Sequence, residues 1–110
     1  MAFKVFYSDY CEEKIIDSSD AFHASVSEIL HSMDCVLHVP KNFIGIIDER
    51  DITLQFYVND DKSILIDVPM PEKNGSFCRA GSLQECLSIV KRLDKAVDIS
   101  KINGLEFQSW

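Results

Sequence analysis

Two stretches of alternating apolar and polar residues, joined by four polar residues, constrain this chain more than any other feature. Every second residue of 52–58 is apolar, from Ile52 to Val58, and residues 63–68 repeat the alternation. A period of two places one set of side chains on one face of a β-strand. The connection Asn59-Asp60-Asp61-Lys62 has hairpin length, so the two stretches predict an antiparallel pair with one buried face.

Other stretches extend this pair into a meander. Residues 43–47 are apolar and lead into the second pair through the polar connection 48–51. An opening strand is predicted at residues 3–8, and residues 35–39 predict a short strand that Pro40 ends. A breaker-rich loop at 69–75, a short return strand at 76–80 and a final strand or docked arm at 105–110 complete the pattern. The sequence therefore predicts an antiparallel meander of about five to six strands.

Two amphipathic helices accompany the strands. The first is predicted by apolar residues at helical spacing between Phe22 and Met33; it ends near Asp34, and a side chain of residues 17–20 caps it. The second begins at a capping box in which Ser82 is followed three residues later by Glu85. With 110 residues the chain has the size of one domain. We expect a single α+β domain over residues 1–110, with both helices packed on one face of the sheet.

The charge of the chain excludes one large class of functions. Eighteen acidic and eleven basic side chains give a net charge of −7. Proteins that bind nucleic acid through its phosphates need the opposite sign. No apolar stretch is long enough to span a membrane, and the first residues lack the pattern of a signal peptide. We therefore expect a cytoplasmic protein with neither a nucleic acid nor a membrane among its partners.

Motifs for catalysis or cofactor binding are sparse. The four cysteines are expected to be reduced thiols; Cys35, Cys78 and Cys86 are predicted to pack as small apolar residues, while Cys11 is predicted to be exposed among acids. The spacing of His31, Cys35 and His38 is the only one typical of metal ligands. A small metal or thiol enzyme that uses Cys35 and His38 is one alternative. The favoured prediction is a protein without catalytic residues, metal ion or cofactor.

Acidic residues concentrate in the first two thirds of the chain. Residues 1–70 carry a net charge of −8, whereas residues 71–110 carry +1. Complementary charge accelerates and orients the docking of a basic partner, and tyrosine is a favoured anchor in interfaces. A merely soluble surface would explain the same charge. The residues predicted to bind a partner lie in two hairpin turns and beside them: Asp48, Glu49, Asp51, Asp60, Asp61, Tyr10 and Tyr57.

A resemblance to a known class of proteins rests on one segment and on the helix after it. The segment runs from Ile52 through Asn59-Asp60-Asp61-Lys62 to Val68, and the helix begins at Gly81-Ser82. In size, charge and layout the chain resembles the immunity proteins of bacterial contact-dependent inhibition and other polymorphic toxin systems. The resemblance implies a protein that binds one cognate toxin domain, often a basic nuclease or deaminase, and blocks its active site or substrate path. A phage-encoded inhibitor of a host nuclease complex is a second alternative with the same size and charge.

Overall fold

The computed structural model describes residues 3–94 and 96–110, which form one antiparallel sheet and two helices. The sheet order is β2-β1-β4-β5-β6-β7-β8, and β3 pairs with β1 beside β2. The α+β class predicted from the sequence is confirmed. The strands are β1 Phe3–Asp9, β2 Lys14–Ile16, β3 Phe22–Ala24, β4 Phe43–Ile47, β5 Thr53–Val58, β6 Ile64–Met70, β7 Gly75–Gly81 and β8 Glu106–Ser109.

Both helices pack on the same face of this sheet. Helix α1 spans Val26–Val36 and helix α2 spans Leu83–Arg92. They contact each other, and their buried residues join the inward residues of the strands in one apolar core. The core members with no exposed surface include Phe3, Ile29, Leu54, Phe56 and Ile66. Burial of these large side chains is the main stabilising contribution to the fold.

Each helix begins at a capping box. Ser82 accepts a hydrogen bond from the backbone N–H of Glu85, and the Glu85 carboxylate accepts one from the Ser82 backbone, as the sequence predicts. Helix α1 uses the same device at Ser25 and Glu28. These reciprocal bonds satisfy backbone donors that the first helical turn leaves without partners.

The start of α1 and the short strand before Pro40 were predicted wrongly. Residues 35–39 contain the last turn of α1 and the turn that follows it, not a strand. Residues 17–20 do not cap α1; Ser18–Asp20 form a single 3-10 turn, and Phe22 then belongs to β3. The helix starts four residues later than its apolar spacing suggests, because the reciprocal bonds of Ser25 and Glu28 define its first turn.

The sheet has more strands than predicted because the segment after β1 folds back onto it. The register pairs Ser8 with Ile15 in β2 and Lys4 with His23 in β3, so these two short strands share one edge of β1. At three residues each, they are too short to show an alternation in the sequence. The acid-rich segment after β1, residues 9–17, therefore contains the strand β2.

The C-terminal half of the sheet follows the predicted meander, but the loop predicted at 69–75 is shorter, because β6 continues to Met70 and β7 begins at Gly75. Pro69 lies inside β6. The pairing of β5 with β6 ends at Asp67, so Pro69 pairs with β7 but not with β5. The segment that was predicted as a strand or docked arm is β8, which pairs with β7 at the sheet edge. Neither helix of the described residues is long and apolar enough to cross a membrane.

Candidate functional site

The sheet face opposite the helices carries a row of apolar side chains, and we call this side the open face. Direct register partners across the sheet are Ser8, Phe43, Tyr57, Leu65 and Ala80. Phe43 and Leu65 are half-buried, and Tyr57 is 37% exposed. With strands about 4.8 Å apart, the row from Ser8 to Ala80 spans about 19 Å. We call this row, four apolar residues with the buried polar Ser8 at one end, the apolar row.

Phe6 stabilises the same face beside the apolar row. Its register partner is Gly45, and a β-carbon at position 45 would overlap the Phe6 ring. The ring also meets Phe43 edge to face, with centroids 6.4 Å apart. Phe6 is only 7% exposed although neither helix packs on this side. The missing side chain of Gly45 thus lets an aromatic ring lie against the backbone and hold Phe43 in place.

An acidic row runs next to the apolar row on the open face. Its register partners are Gln55, Asp67, Cys78 and Glu106, and Gln55 donates a hydrogen bond to Asp67 at 3.0 Å. Burial raises the pKa of the Cys78 thiol, and the negative charges of Asp67 and Glu106 raise it further. The β6 to β8 side of the open face therefore presents a negative potential beside apolar surface.

The β5–β6 turn places two of the predicted acids at one end of the sheet. Asp60 and Asp61 are exposed there, and the Asp61 carboxylate accepts hydrogen bonds from the N–H and the hydroxyl of Ser63. These two bonds lower the pKa of Asp61, so the turn keeps its negative charge. Tyr57 lies one residue inside the strand end, which brings it to the same end of the molecule.

A buried polar cluster places Tyr10 at the same end of the sheet as the β5–β6 turn. Tyr10 is 54% exposed, and its backbone N–H donates to the side-chain oxygen of Asn42 at 2.9 Å. The Asn42 amide in turn donates to Asp9 and to the carbonyl of Val36. Asn42 is 1% exposed and also accepts from the backbone N–H of Val58. The cluster ties the end of β1 to the end of β5, so Tyr10, Tyr57 and the Asp60-Asp61 turn share one end of the sheet.

The β4–β5 turn lies at the opposite end, and Asp48 does not belong to a binding surface. Its side chain has no exposed area; the carboxylate accepts from the backbone N–H groups of Arg50, Ile52 and Val97. A buried carboxylate whose oxygens already accept hydrogen bonds from the chain itself cannot contact a partner. The prediction that Asp48 binds a partner is therefore corrected to a structural role. Glu49 and Asp51 are exposed in the same turn. Strand β5 has six residues, which separates the two turns by about 20 Å.

The structure pairs the histidines and cysteines near the end of α1 differently from the predicted Cys35 and His38 combination. Cys35 Sγ lies 3.8 Å from His31 Nε2, whereas His38 lies 3.8 Å from Asp34. Both Cys35 and His38 are exposed, although Cys35 was predicted to pack inside. Across residues 3–94 and 96–110, no group of three or more His, Cys, Asp or Glu side chains could hold a metal ion.

The open face was only partly predicted from the sequence. Tyr57 was identified through the alternation of β5, but Phe43, Leu65, Asp67 and Glu106 were missed because only the register makes them neighbours. The outward alternation of β6 was a usable signal for Leu65 and Asp67. Comparison with protein-family models, curated proteins and solved structures finds nothing that matches this chain.

Proposed function

We propose that this protein is an immunity-type inhibitor that neutralises a protein toxin by covering a basic surface of it with the open face. The observation that carries the proposal is the apolar row lying directly beside the acidic row. Aromatic and aliphatic side chains anchor protein interfaces, and flanking carboxylates select a partner with the complementary charge. Toxin domains that act on nucleic acid carry such a basic surface for their substrate.

Charge supports this kind of partner over an apolar one. The chain carries −7 overall, and Asp67 and Glu106 stand on the open face itself. Tyr57 and Phe43 are register partners at the centre of the apolar row, where an anchor residue is most effective. The exposed acids of the β5–β6 turn extend the negative surface past Tyr57. In this proposal the inhibitor acts in the cytoplasm and occupies the toxin's substrate path.

The direct test measures binding to the toxin domain encoded beside the gene, together with inhibition of that toxin. Tyr57→Ser should weaken binding by about tenfold or more, whereas Tyr57→Phe should bind nearly as well as wild type. Glu106→Lys should weaken binding and reduce its dependence on salt. Asp34→Lys is the matched control, because it makes the same change of charge on helix α1, on the other side of the sheet.

The variants also separate the two ends of the sheet. Asp60→Lys changes the turn near Tyr57 without removing the Asp61 bonds, and Glu49→Lys changes the opposite turn. We expect the first to weaken binding more than the second. Equal weakening by Glu106→Lys and Asp34→Lys would contradict docking through the open face. A wild-type protein that neither binds nor inhibits the toxin would contradict the immunity function itself.

A further inference from the structure

A groove of about 430 Å³ on the helix side gathers basic side chains in this otherwise acidic molecule. Arg79 of β7, Arg92 of α2 and Lys101 all line it, and Gln84, Ser88 and Asn103 add polar groups. Glu85 is the one acidic residue among the described residues that line it. Three positive charges and one negative charge leave the lining at +2, against −7 for the whole chain. The groove therefore differs in sign from the rest of the protein.

Three hydrogen bonds and two close glycines position Arg79 in this groove. Its Nε donates to the carbonyl of Asn103 at 2.6 Å, and its Nη1 donates to Glu85 and to the carbonyl of Ala80. The side chain is 24% exposed and passes between two glycines. A β-carbon at Gly104 would lie 3.1 Å from Arg79 Cδ, and one at Gly81 would lie 3.2 Å from Nη1. A guanidinium fixed in this way loses little freedom when it binds a ligand.

The remaining lining residues complete a set of donors for an anion. Arg92 donates through Nη2 to the Ser88 hydroxyl at 3.2 Å, which orients both side chains toward the groove. The Glu85 carboxylate is already engaged by Arg79 and by the backbone of Ser82. The same bonds, with Arg79 first, lower the pKa of Glu85, so it stays ionised and keeps Arg79 in position. The free Nη2 of Arg79, the unused N–H groups of Arg92 and the ammonium of Lys101 together suit the oxygens of a phosphate group.

The charge of the protein surface around the groove limits which anions can bind there. Electrostatic interactions in physiological salt fade over about 8 Å, so a small anion experiences mainly the positive lining. A long polyanion would extend over the acidic surface and be repelled. The groove's volume falls within the range of small-molecule sites, roughly 300–1,000 Å³. We propose that the groove lined by Arg79, Arg92 and Lys101 binds a small phosphate monoester of up to about mononucleotide size.

The test follows backbone amide signals by NMR while the full-length protein is titrated with inorganic phosphate, AMP, glycerol 3-phosphate or citrate. We expect shifts that saturate at residues lining the groove, with the phosphate compounds binding more tightly than citrate. Tighter binding of AMP would identify a nucleotide as the source of the phosphate, and tighter binding of glycerol 3-phosphate would identify a lipid-like headgroup. Either result supports the proposal.

Substitutions test whether the groove itself is responsible. Arg92→Gln and Lys101→Gln should each weaken phosphate binding by about tenfold. Lys91→Gln makes the same change of charge on α2 but lies outside the groove, and it should leave the affinity unchanged. Arg79→Lys keeps the charge but loses the free Nη2 and the bonds that position the guanidinium, so it should also weaken binding while the protein remains folded. Three results would each overturn the proposal: no saturable binding at millimolar phosphate, citrate binding as tightly as phosphate, or equal losses in Lys91→Gln and Lys101→Gln.

Discussion

The carboxylate of Asp48 accepts a hydrogen bond of 2.9 Å from the backbone N–H of Val97, a residue 49 positions later in the chain. Arg50, two residues beyond Asp48, donates at 2.8 Å to the carbonyl of the same Val97. The two bonds join the β4–β5 turn to the segment after α2. Asp48, which was predicted to bind a partner, thus anchors the turn to the rest of the chain, while Glu49 and Asp51 of the same turn stay exposed.

Removing this carboxylate should destabilise the protein. In Asp48→Ala the buried N–H of Val97 and the partly buried N–H of Ile52 lose their acceptor, so we expect the free energy of unfolding to fall by roughly 3 kcal/mol. Urea denaturation followed by circular dichroism measures the change. Glu49→Ala alters the exposed neighbour in the same turn and should change stability by less than about 0.5 kcal/mol. Similar stabilities for the two variants would show that the Asp48 contacts are dispensable.

The packing of Phe6 on Gly45 predicts a strong coupling between two substitutions. Gly45→Ala should cost about 1–3 kcal/mol because the new methyl group overlaps the Phe6 ring. Phe6→Ala alone should cost about 3 kcal/mol, since the ring is nearly buried. In the Phe6→Ala background, Gly45→Ala should lower the free energy of unfolding very little, because the ring that the methyl group overlaps is absent. Chemical denaturation of all four proteins gives the coupling, and additive effects would refute the close contact.

The four thiols should react in a defined order. Cys11 and Cys35 are exposed and should be alkylated first at pH 8. Burial raises the pKa of Cys86 to about 12, so this thiol should react only after unfolding. Cys78 should react at an intermediate rate, and Asp67→Asn should accelerate it by removing a negative charge beside the thiol. Mass spectrometry of iodoacetamide-treated samples distinguishes the sites, and rapid labelling of Cys86 in the native protein would contradict the buried position.

Acid should destabilise the protein through its helix caps and turns. Hydrogen bonds from Ser25 lower the pKa of Glu28, and those from Arg79 and Ser82 lower the pKa of Glu85. A carboxyl group with a lowered pKa in the folded state takes up its proton more readily after unfolding. The stabilisation is therefore complete above about pH 5 and is lost as pH falls below the ordinary value of 4.5 toward the folded pKa values.

The double variant Glu28→Gln with Glu85→Gln tests this dependence. It should be less stable than wild type at pH 7 and should lose less stability between pH 5 and pH 3. Urea midpoints measured in steps of half a pH unit give both slopes. Parallel curves for the two proteins would mean that the caps do not contribute to the acid response.

The parts of the fold that the sequence predicts well are those determined by local chemistry. The capping box at Ser82 and Glu85 and the alternation of β5 and β6 depend on residues a few positions apart. Strands β2 and β3 have three residues each, too few to show an alternation, and only their pairing with β1 makes them strands. Residues 35–39 were also predicted wrongly. Their short apolar run is typical of a strand, but helix α1 continues into it.

In the candidate site, too, the residues predicted well are those that depend on local sequence. Tyr57 could be assigned to the outward face from β5 alone, but its neighbours Phe43 and Leu65 follow from the register of three strands. The acids in the turns look equivalent in the sequence, yet Asp48 is buried by a segment 49 residues away while Glu49 beside it stays exposed. Burial of a carboxylate by remote chain cannot be detected from local composition.

The pairing of β1 with β4 has a consequence for the order in which the molecule folds. Lys4 pairs with Ile47 and Ser8 with Phe43, whereas β4 through β7 are joined to their neighbours by short turns. Closing the long loop costs more entropy than closing the hairpins, so the central meander should form first and β1 should join late. Destabilising substitutions at Val5 should then mainly speed unfolding, and those at Leu54 should slow folding. During synthesis β1 emerges about forty residues before its partner β4, so Phe3 and Val5 stay unburied until β4 has followed.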